Sequence, residues 1–432
     1  MKVTVQDAAS CRKILHVEVP DDGVVDEYGK VINVYAESVK VPGFRKGKAP
    51  AHVVERRYAK NIAEETRDRL IPRFCKEALA QEEINPVALI GVHDVDFEDG
   101  KRLAFKVTVD VAPQFKLPKY MKIKLKATKV VVADTEVEEA YNRLLDSFAR
   151  FEDVARTDVC EGDLVKVDYV GTCEDKPLRE FAPNCAGIDE GKDFWVFLGD
   201  REFLPGFSQA LIGSTVNQEI KVNVHFPDDY HVTEVSGRDA IYMVVPKGIR
   251  EKILPELNEE FWKKLNVGSE AELREKIRQE LLETAESNEK NRLKEEISKY
   301  LLENTKLDLP KSVVDHETNL VARNMVENIA MRGATKEQIE AQKDDILNMA
   351  VKSSKDRVKL SYILEQIAEK ENIQVEENEV EGRIAAMAEY NKTSADRLKS
   401  ELNKRNSMEK LKSDIRSEKT LDFLLEHSKI KK

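Results

Sequence analysis

The most informative stretch of this chain is Val41-Pro42-Gly43-Phe44-Arg45-Lys46-Gly47-Lys48-Ala49-Pro50. It holds three cations and one aromatic ring between two prolines, with a glycine on each side of the Phe-Arg-Lys core. Proline fixes φ at each end, and glycine allows backbone turns that other residues resist. Neighbouring cations repel one another unless they are solvated or paired, so the pattern predicts an exposed, stiffened loop. We call residues 41–50 the basic loop.

The chemistry of the basic loop suits an anionic partner. Arginine offers a planar donor fork for phosphate or carboxylate, and lysine offers a point charge. Phe44 is either a small local anchor or a contact residue. From Arg45 to Lys76 there are ten Lys or Arg and four Asp or Glu, although the whole chain has a formal charge of −11. A cationic element on an acidic chain indicates a directed partner, and a solvated basic loop without a partner is the alternative.

Length and composition limit the class of protein. A chain of 432 residues predicts two or three domains. Aromatic residues make up 6% and charged residues 35%, which is typical of a helix-rich protein with much surface. No apolar run is long enough to span a bilayer, and residues 1–7 lack the apolar core of a signal peptide. We therefore expect a cytoplasmic protein without a membrane partner.

The sequence predicts neither a metal nor a cofactor. The seven histidines form no H-E-x-x-H motif, and no G-x-x-x-x-G-K-S/T loop supports the use of ATP. The cysteines are odd in number and include no C-x-x-C pair, which indicates reduced, structural thiols. They are Cys11, Cys75, Cys160, Cys173 and Cys185.

Residues 1–113 are predicted to form an α/β domain. Strands are expected at residues 3–5, 13–19, 87–97 and 102–111, the last two joined through Asp99-Gly100. One helix begins at Pro20-Asp21-Asp22, and a second follows the basic loop, with a kink or break at Pro72. The basic loop is therefore expected at the tip between two helices.

Three further regions follow. Residues 114–154 are predicted to be a connector, with a strand-like run at 123–132 and an amphipathic helix from Asp134. Residues 155–248 contain short alternating runs and form a small β-rich domain. Residues 249–432 are almost wholly helical by pattern, and few aromatic residues among so many helical ones suggest extended arms. The predicted class is an α+β multidomain fold with a long all-α C-terminal domain.

The basic loop resembles the GFRKGKxP docking signature of the trigger factor family, bacterial chaperones that sit where nascent chains leave the ribosome. The match lies near residue 45, where that family carries it, and the order of the regions is similar along essentially the whole chain. The resemblance implies that Gly43, Phe44, Arg45, Lys46, Gly47 and Lys48 bind the large ribosomal subunit at the exit tunnel, through ribosomal protein and ribosomal RNA. It also implies that the connector packs with the C-terminal region.

Residues 155–248 resemble the FK506-binding-protein (FKBP) type of prolyl isomerase. The similar strings are residues 162–171, 197–199, 202–207 and 226–230. Such a domain turns an X–Pro bond against a barrier of about 18–20 kcal/mol, and a desolvated aromatic pocket can hold the twisted amide better than the planar one. The resemblance implies a pocket of Tyr169, Phe194, Phe203, Leu204, Phe207 and Tyr242. The same aromatic residues would also serve as the core of a small domain.

Two departures from the FKBP pattern predict weakened isomerisation. Leu178 and Arg179 stand where the family usually carries Phe and an acidic residue, so an aliphatic group replaces a ring and a cation replaces a carboxylate. The following loop, residues 180–192, is longer than usual and contains Pro183 and Cys185. Binding of peptides is expected to survive better than catalysis.

The leading hypothesis is a ribosome-associated, ATP-independent chaperone that holds nascent, unfolded polypeptides and carries a prolyl isomerase domain. A stand-alone isomerase whose helical arms select folded substrates is a second interpretation. A third is an assembly scaffold in which the helices form a dimer or grip ribosomal proteins. The resemblance implies a homodimer away from the ribosome, which is compatible with the leading hypothesis.

Overall fold

The structure is a computed structural model of the 432-residue chain. It describes residues 1–431 except 43, 46, 99–100, 175, 183–186, 200–201, 229, 231, 233 and 406. Several residues that entered the interpretation above lie outside this described part: Gly43, Lys46, Asp99, Gly100, Pro183, Cys185 and Asp229. The chain divides into two compact units, one of Met1–Thr128 with Glu289–Lys432 and the other of Lys129–Asn288.

Strands and helices occupy most of the described chain. The strands are β1 Lys2–Ala9, β2 Arg12–Val19, β3 Pro86–Glu98, β4 Arg102–Val111, β5 Lys124–Lys126, β6 Arg150–Asp153, β7 Leu164–Cys173, β8 Lys176–Pro177, β9 Glu190–Phe197, β10 Ile220–His225, β11 Asp239–Ile253 and β12 Lys429–Lys431. The helices are α1 Asp21–Ser38, α2 Ala51–Gln81, α3 Asp134–Ser147, α4 Leu178–Phe181, α5 Phe207–Leu211, α6 Glu259–Lys264, α7 Glu270–Asn304, α8 Lys311–Met331, α9 Lys336–Ala341, α10 Lys343–Lys370, α11 Glu377–Tyr390, α12 Ala395–Lys404 and α13 Met408–Glu426.

The N-terminal part of the first unit is an antiparallel sheet covered by helix α2. The strand order is β1-β2-β4-β3. Alternate residues of β2 and β4, such as Leu15, Val17 and Phe105, face the core and pack with Leu70 and Phe74 of α2. The alternation follows from the two-residue period of a strand, which places every second side chain on the same face. Helix α1 begins at Asp21, directly after Pro20, as the sequence predicts.

The prediction of a kink or break at Pro72 is wrong. Helix α2 continues through Pro72, and its backbone departs from helical dihedral angles at Tyr58 instead. Proline removes one helical hydrogen bond to the residue four positions earlier. Pro72 lies on the exposed side of α2, where water can solvate the freed carbonyl of Asp68. A single exposed proline is therefore tolerated inside this packed helix.

Asp110 joins the N-terminal sheet to helix α8 within the first unit. Its carboxylate is only 1% exposed. It accepts hydrogen bonds from Arg12 Nε at 2.7 Å and from Ser312 Oγ at 2.6 Å. Burial alone would raise the pKa of the Asp110 carboxyl, but the bonds from Arg12 and Ser312 outweigh burial and hold the pKa below its ordinary value. No sequence pattern indicated this contact.

The strand expected at residues 123–132 is much shorter in the structure. Only Lys124–Lys126 forms a strand, and it pairs in parallel with β12 from the end of the chain. Leu125 and Ile123 pack into a core with Ile297 of α7, Ile363 of α10 and Leu424 of α13. The helical character expected for residues 249–432 is otherwise present, apart from the end of β11 and the short β12.

The second unit is built around one antiparallel sheet. The main strand order is β10-β11-β7-β8, with β9 also paired to β7 and β6 paired to β11. Helix α3, which begins at Asp134 as predicted, packs with Phe261 and with residues 267–277 in a separate apolar cluster. The predicted class of α+β multidomain fold is confirmed by this arrangement. The domain limits themselves stay a prediction.

Two further features concern membrane crossing and the cysteines. No helix in the described part combines the length and apolar character that crossing a membrane requires. Cys11, Cys75 and Cys173 are buried free thiols, and Cys160 is an exposed one.

Candidate functional site

The basic loop connects α1 to α2 and is anchored in the first unit. Val41 is buried in a cluster with Tyr28 and Val54 from the two helices. Backbone hydrogen bonds from Phe44 N to Val41 O at 3.1 Å and from Lys48 N to Arg45 O at 2.9 Å close turns within the loop. These contacts hold the polar part of the loop close to the two helix ends.

The described aromatic and cationic side chains of the basic loop face solvent. Phe44 is 41% exposed, which is a large fraction for an aromatic ring. Arg45 and Lys48 are also exposed. Among the residues that the structure describes, neither cation has a carboxylate within 4.0 Å. Their charge is therefore available to a partner.

Exposed cations continue from the basic loop into the first turns of α2. Arg56, Arg57 and Lys60 are exposed, and within the described part of the chain they make no ion pair. Later in the same helix, Arg73 pairs with Glu77 at 3.0 Å. The uncompensated charge is thus concentrated at the end of α2 that adjoins the loop.

Tyr169 on β7 is the centre of an aromatic cluster in the second unit. Its ring centroid lies 5.4 Å from that of Phe203, 5.8 Å from Phe194, 6.2 Å from Tyr242 and 6.3 Å from Phe207. Such ring pairs stabilise a protein by about 0.5–1.5 kcal/mol each beyond the burial of area. The sheet, helix α5 and the turn before it therefore bring together five of the residues predicted for the pocket. The sixth, Leu204, is buried in the same core.

Only part of this cluster is open to a ligand. Phe194 is 39% exposed and Phe203 is half-buried, whereas Tyr169, Phe207 and Tyr242 are buried. The ring centroids of Phe194 and Phe203 are 5.0 Å apart. The partly exposed surface of these two rings is the part of the cluster that a ligand can reach within the described residues.

Two glycines allow the tyrosine rings to lie flat on the sheet. Gly191 on β9 stands opposite Tyr169, and Gly171 on β7 stands opposite Tyr242. A Cβ atom on Gly191 would lie 2.4 Å from Tyr169 Cε1, and one on Gly171 would lie 2.7 Å from Tyr242 Cε1. No side chain fits at either distance, so glycine at both positions sets the placement of the rings.

The hydroxyl groups of both tyrosines are bound by one segment of backbone. Tyr169 donates to the carbonyl of Gly187 at 2.6 Å, and Tyr242 donates to the carbonyl of Ile188 at 2.9 Å. The next residue, Asp189, accepts a bond from Gly187 N through its carboxylate at 3.1 Å. Burial, with a smaller contribution from the charge of Asp189, raises the pKa of Tyr169 to about 12. The segment 187–189 therefore holds both rings in place.

The turn before α5 positions Phe203, Leu204 and Phe207. Gly206 has a φ of 75°, a left-handed conformation that favours glycine. Its N–H donates to Glu202 Oε2 at 2.8 Å, which closes the turn. Tyr230, in the FKBP-like string 226–230, packs on Phe226 with a centroid separation of 4.7 Å.

The two departures from the FKBP pattern occupy different environments. Leu178 is fully buried in the core of the second unit. The side chain of Arg179 is exposed, and its NH1 atom lies 3.6 Å from Glu190 Oε1. An exposed ion pair of this kind contributes little to stability. Leu178 thus acts in packing, and Arg179 leaves a cation at the surface.

Sequence patterns did not reveal the role of residues 187–189. Gly187 and Ile188 act through their carbonyl groups, which every residue carries, so no side-chain signal marks them. Asp189 lies within the unusually long loop at residues 180–192, and that length was the only signal in the sequence.

Comparisons with known proteins agree with this architecture. The family described as bacterial trigger factor protein (TF) matches residues 1–144, and the family of its C-terminus matches residues 270–426. The family of FKBP-type peptidyl-prolyl cis-trans isomerases matches residues 156–248.

Individual relatives are similar over nearly the whole chain. The trigger factor of Carboxydothermus hydrogenoformans is 31% identical over 435 residues, which cover 99% of this chain and 100% of that protein. The trigger factor of Moorella thermoacetica is 30% identical over 438 residues, covering 99% and 95% of the two chains. A solved structure of the trigger factor chaperone, reported for promiscuous substrate recognition in folding and assembly, has a TM-score of 0.54 at 20% identity and covers 99% of each chain.

The sheet, its aromatic cluster and the helical C-terminal part define a multidomain protein with an FKBP-type isomerase domain. With relatives this similar along its length, the chain belongs to the trigger factor family of bacterial chaperones.

Proposed function

We propose that this protein is a cytoplasmic, ATP-independent chaperone that docks on the large ribosomal subunit through residues 43–48 and holds nascent polypeptides. The observation that carries the proposal is the exposure of Phe44, Arg45 and Lys48 on an anchored loop, with no carboxylate beside either cation in the described structure. Exposed cations without protein partners gain most from binding phosphate or acidic side chains. Phe44 supplies an apolar contact at the same place.

Holding of unfolded chains is supported by apolar groups on the C-terminal helices. Met331, Leu347 and Met349 are exposed, and methionine adapts readily to varied partners. Leu347 and Val314 also line a cavity of about 880 Å³ between α8 and α10. Such a surface can bind many apolar segments weakly. A protein that binds unfolded chains lowers their free concentration by mass action.

Prolyl isomerisation is proposed as a secondary and weakened activity. The predicted catalytic residues Tyr169, Phe194, Phe203, Leu204, Phe207 and Tyr242 share one cluster. Three of the six, Tyr169, Phe207 and Tyr242, are buried, and Phe194 packs on Phe203 with a centroid separation of 5.0 Å. We therefore expect slow turnover, with peptide binding at the partly exposed Phe194 and Phe203 retained.

Co-sedimentation with bacterial ribosomes tests the docking proposal. Replacing Phe44, Arg45 and Lys46 together by alanine is expected to abolish co-sedimentation. A matched control replaces Tyr390, Lys404 and Arg405 by alanine, since these are also one exposed aromatic and two exposed cations without an ion pair in the described structure. The control is expected to sediment like the wild type.

The dependence of binding on salt gives a second test. Phosphate contacts release counterions, so affinity for ribosomes should fall as salt rises. Affinity that stays flat from low to high salt, or a loop variant that still co-sediments, would favour the stand-alone isomerase.

A further inference from the structure

A second cationic surface lies in the first unit, where β5 and β12 pair. The parallel register places Lys429 opposite Lys124 and Lys431 opposite Lys126. Since side chains alternate along a strand, these four lysines share one face of the small sheet. Leu125, between two of them, is buried in the core, so the lysine face points to solvent. We call Lys124, Lys126, Lys429 and Lys431 the lysine grid.

The backbone holds the lysine grid in a fixed arrangement. The ladder includes bonds from Lys429 N to Ile123 O at 2.7 Å and from Ala127 N to Lys431 O at 3.0 Å. Alternate residues on a strand are about 6.6 Å apart, and paired strands are about 4.8 Å apart. Like charges directly opposite each other destabilise a sheet. This small sheet therefore keeps four repelling charges together.

No protein carboxylate neutralises the lysine grid in the described part of the chain. None of its four ammonium groups has a carboxylate within 4.0 Å. The neighbouring Lys290 and Lys294, by contrast, both pair with Asp422, at 2.6 and 2.9 Å.

The sequence beside the grid adds more positive charge. Residues 116–126 include five lysines and no Asp or Glu, in a chain whose formal charge is −11. Lys116, Lys119 and Lys122 are exposed, and within the described structure they too make no ion pair. The positive charge is therefore a local feature that the rest of the acidic chain does not share.

We propose that the lysine grid binds the phosphate backbone of RNA without regard to base sequence. Lysine acts as a point charge that contacts phosphate from many directions, whereas bidentate recognition of carboxylates is typical of arginine, which the grid lacks. A phosphate backbone carries one charge per nucleotide at regular intervals, so it can engage several fixed ammonium groups at once. Acidic side chains on a folded protein have no such regular spacing. No aromatic platform or base-reading group stands on this face of the sheet among its described residues.

This inference goes beyond the docking proposed for the basic loop and does not rest on it. The two surfaces involve separate residues, and each can be removed while the other remains. The difference between the wild type and a grid variant in binding a short single-stranded RNA isolates the contribution of the lysine grid, because the basic loop is the same in both.

The test measures binding of the full chain to a fluorescently labelled oligouridylate by anisotropy over a range of salt concentrations. The variant replaces Lys124, Lys126, Lys429 and Lys431 by glutamine. We expect at least a tenfold loss of affinity at low salt. The slope of log K against log salt should become shallower by up to about 3, since each phosphate contact on a single strand contributes about 0.7.

Matched variants make the result specific. Glutamine at Lys336, Lys352, Lys355 and Lys404, which are exposed and unpaired in the described structure, removes the same charge elsewhere and should change affinity less than threefold. Arginine at the four grid positions should retain binding. Thermal unfolding followed by circular dichroism should show each variant folded.

Two results would overturn the proposal. One is RNA binding by the folded glutamine variant that equals the wild type in affinity and in salt slope. The other is equal or tighter binding of polyglutamate of the same charge, which would assign the surface to acidic polypeptides. A basic-loop variant that still co-sediments with ribosomes would overturn the docking proposal and leave this measurement unaffected, so the two proposals are tested separately.

Discussion

The hydroxyl of Tyr169 donates a 2.6 Å hydrogen bond to the carbonyl oxygen of Gly187. The hydroxyl of Tyr242 donates a second bond to the carbonyl of Ile188. The two bonds hold two buried rings of the predicted isomerase pocket against a single stretch of backbone. The rings are therefore fixed by the protein itself before any peptide binds. This explains how a sequence that resembles an isomerase forms a cluster packed like a core.

Tyr169 should make the stability of the second unit depend on alkaline pH. The pKa of Tyr169 is raised to about 12, above the value near 10 of an unfolded tyrosine. The neutral phenol is favoured in the folded state, so its stabilisation is complete below about pH 10 and is lost as pH rises toward 12. The loss should amount to about 2–3 kcal/mol in the free energy of unfolding.

Urea unfolding of wild type and Tyr169→Phe between pH 9 and about 12 measures this effect. The free energy of unfolding of the phenylalanine variant should fall less than that of the wild type as pH rises over this range. Titration by phenolate absorbance should lose one late-titrating group in the variant, while Tyr362, whose pKa is also raised to about 12, remains. An equal fall in the free energy of unfolding of both proteins would contradict the assignment of this pH dependence to Tyr169.

Gly191→Ala should displace Tyr169 and destabilise the second unit. The added Cβ would lie 2.4 Å from the ring, so either the ring or strand β9 must move. Overpacking of this kind costs about 1–3 kcal/mol. Gly248→Ala on β11 is a suitable control, because its Cβ would lie 4.0 Å from Lys166 Cβ, at an ordinary contact distance. Urea midpoints that are equal for the two variants would show that the close approach is unimportant.

Replacing Leu178 by the usual family residue should destabilise the second unit. Leu178 is fully buried in a packed core, so Leu178→Phe should lower the free energy of unfolding by about 1–3 kcal/mol. Arg179→Asp changes only an exposed group. The wild type should turn over a short X–Pro peptide more slowly than typical FKBP-type enzymes. A wild-type turnover number equal to theirs would refute the inference from these two positions.

Asp110→Asn should loosen the packing of the N-terminal sheet on helix α8. The substitution replaces a buried carboxylate that binds Arg12 and Ser312 by a neutral amide. The free energy of unfolding should fall by on the order of 3 kcal/mol. Asp94→Asn breaks an exposed pair with Lys106 in the same sheet and should have a much smaller effect.

The same carboxylate predicts sensitivity to acid. Because the pKa of Asp110 is lowered on folding, its stabilisation is present above about pH 4 and is lost as pH falls through the folded value. The wild type should therefore lose stability below pH 4 more steeply than Asp110→Asn, as measured by the urea midpoint at each pH. Identical acid profiles would exclude Asp110 as the linked group.

Local signals allowed several elements to be predicted closely. Strand β4 spans Arg102–Val111, and helix α3 begins at Asp134, both as expected. These elements follow from alternation and from an acidic helix start, which are properties of adjacent residues. The strand expected at residues 123–132 failed outside 124–126, because a strand needs a partner, and β12 from the far end of the chain reaches only that part.

The sequence by itself determined the family, the basic loop and the set of residues in the aromatic cluster, because motifs and short-range periodicity are written in neighbouring positions. Only the tertiary structure decided that Phe194 packs on Phe203, that Asp110 binds Ser312, and that lysines from residues 124–126 and 429–431 form one face. Asp110 and Ser312, and the two lysine segments, are far apart in the chain, and the contact of Phe194 with Phe203 joins a strand to the loop that follows it. These relationships depend on how buried surfaces pack and on which backbone groups remain to be paired, and no local pattern encodes either.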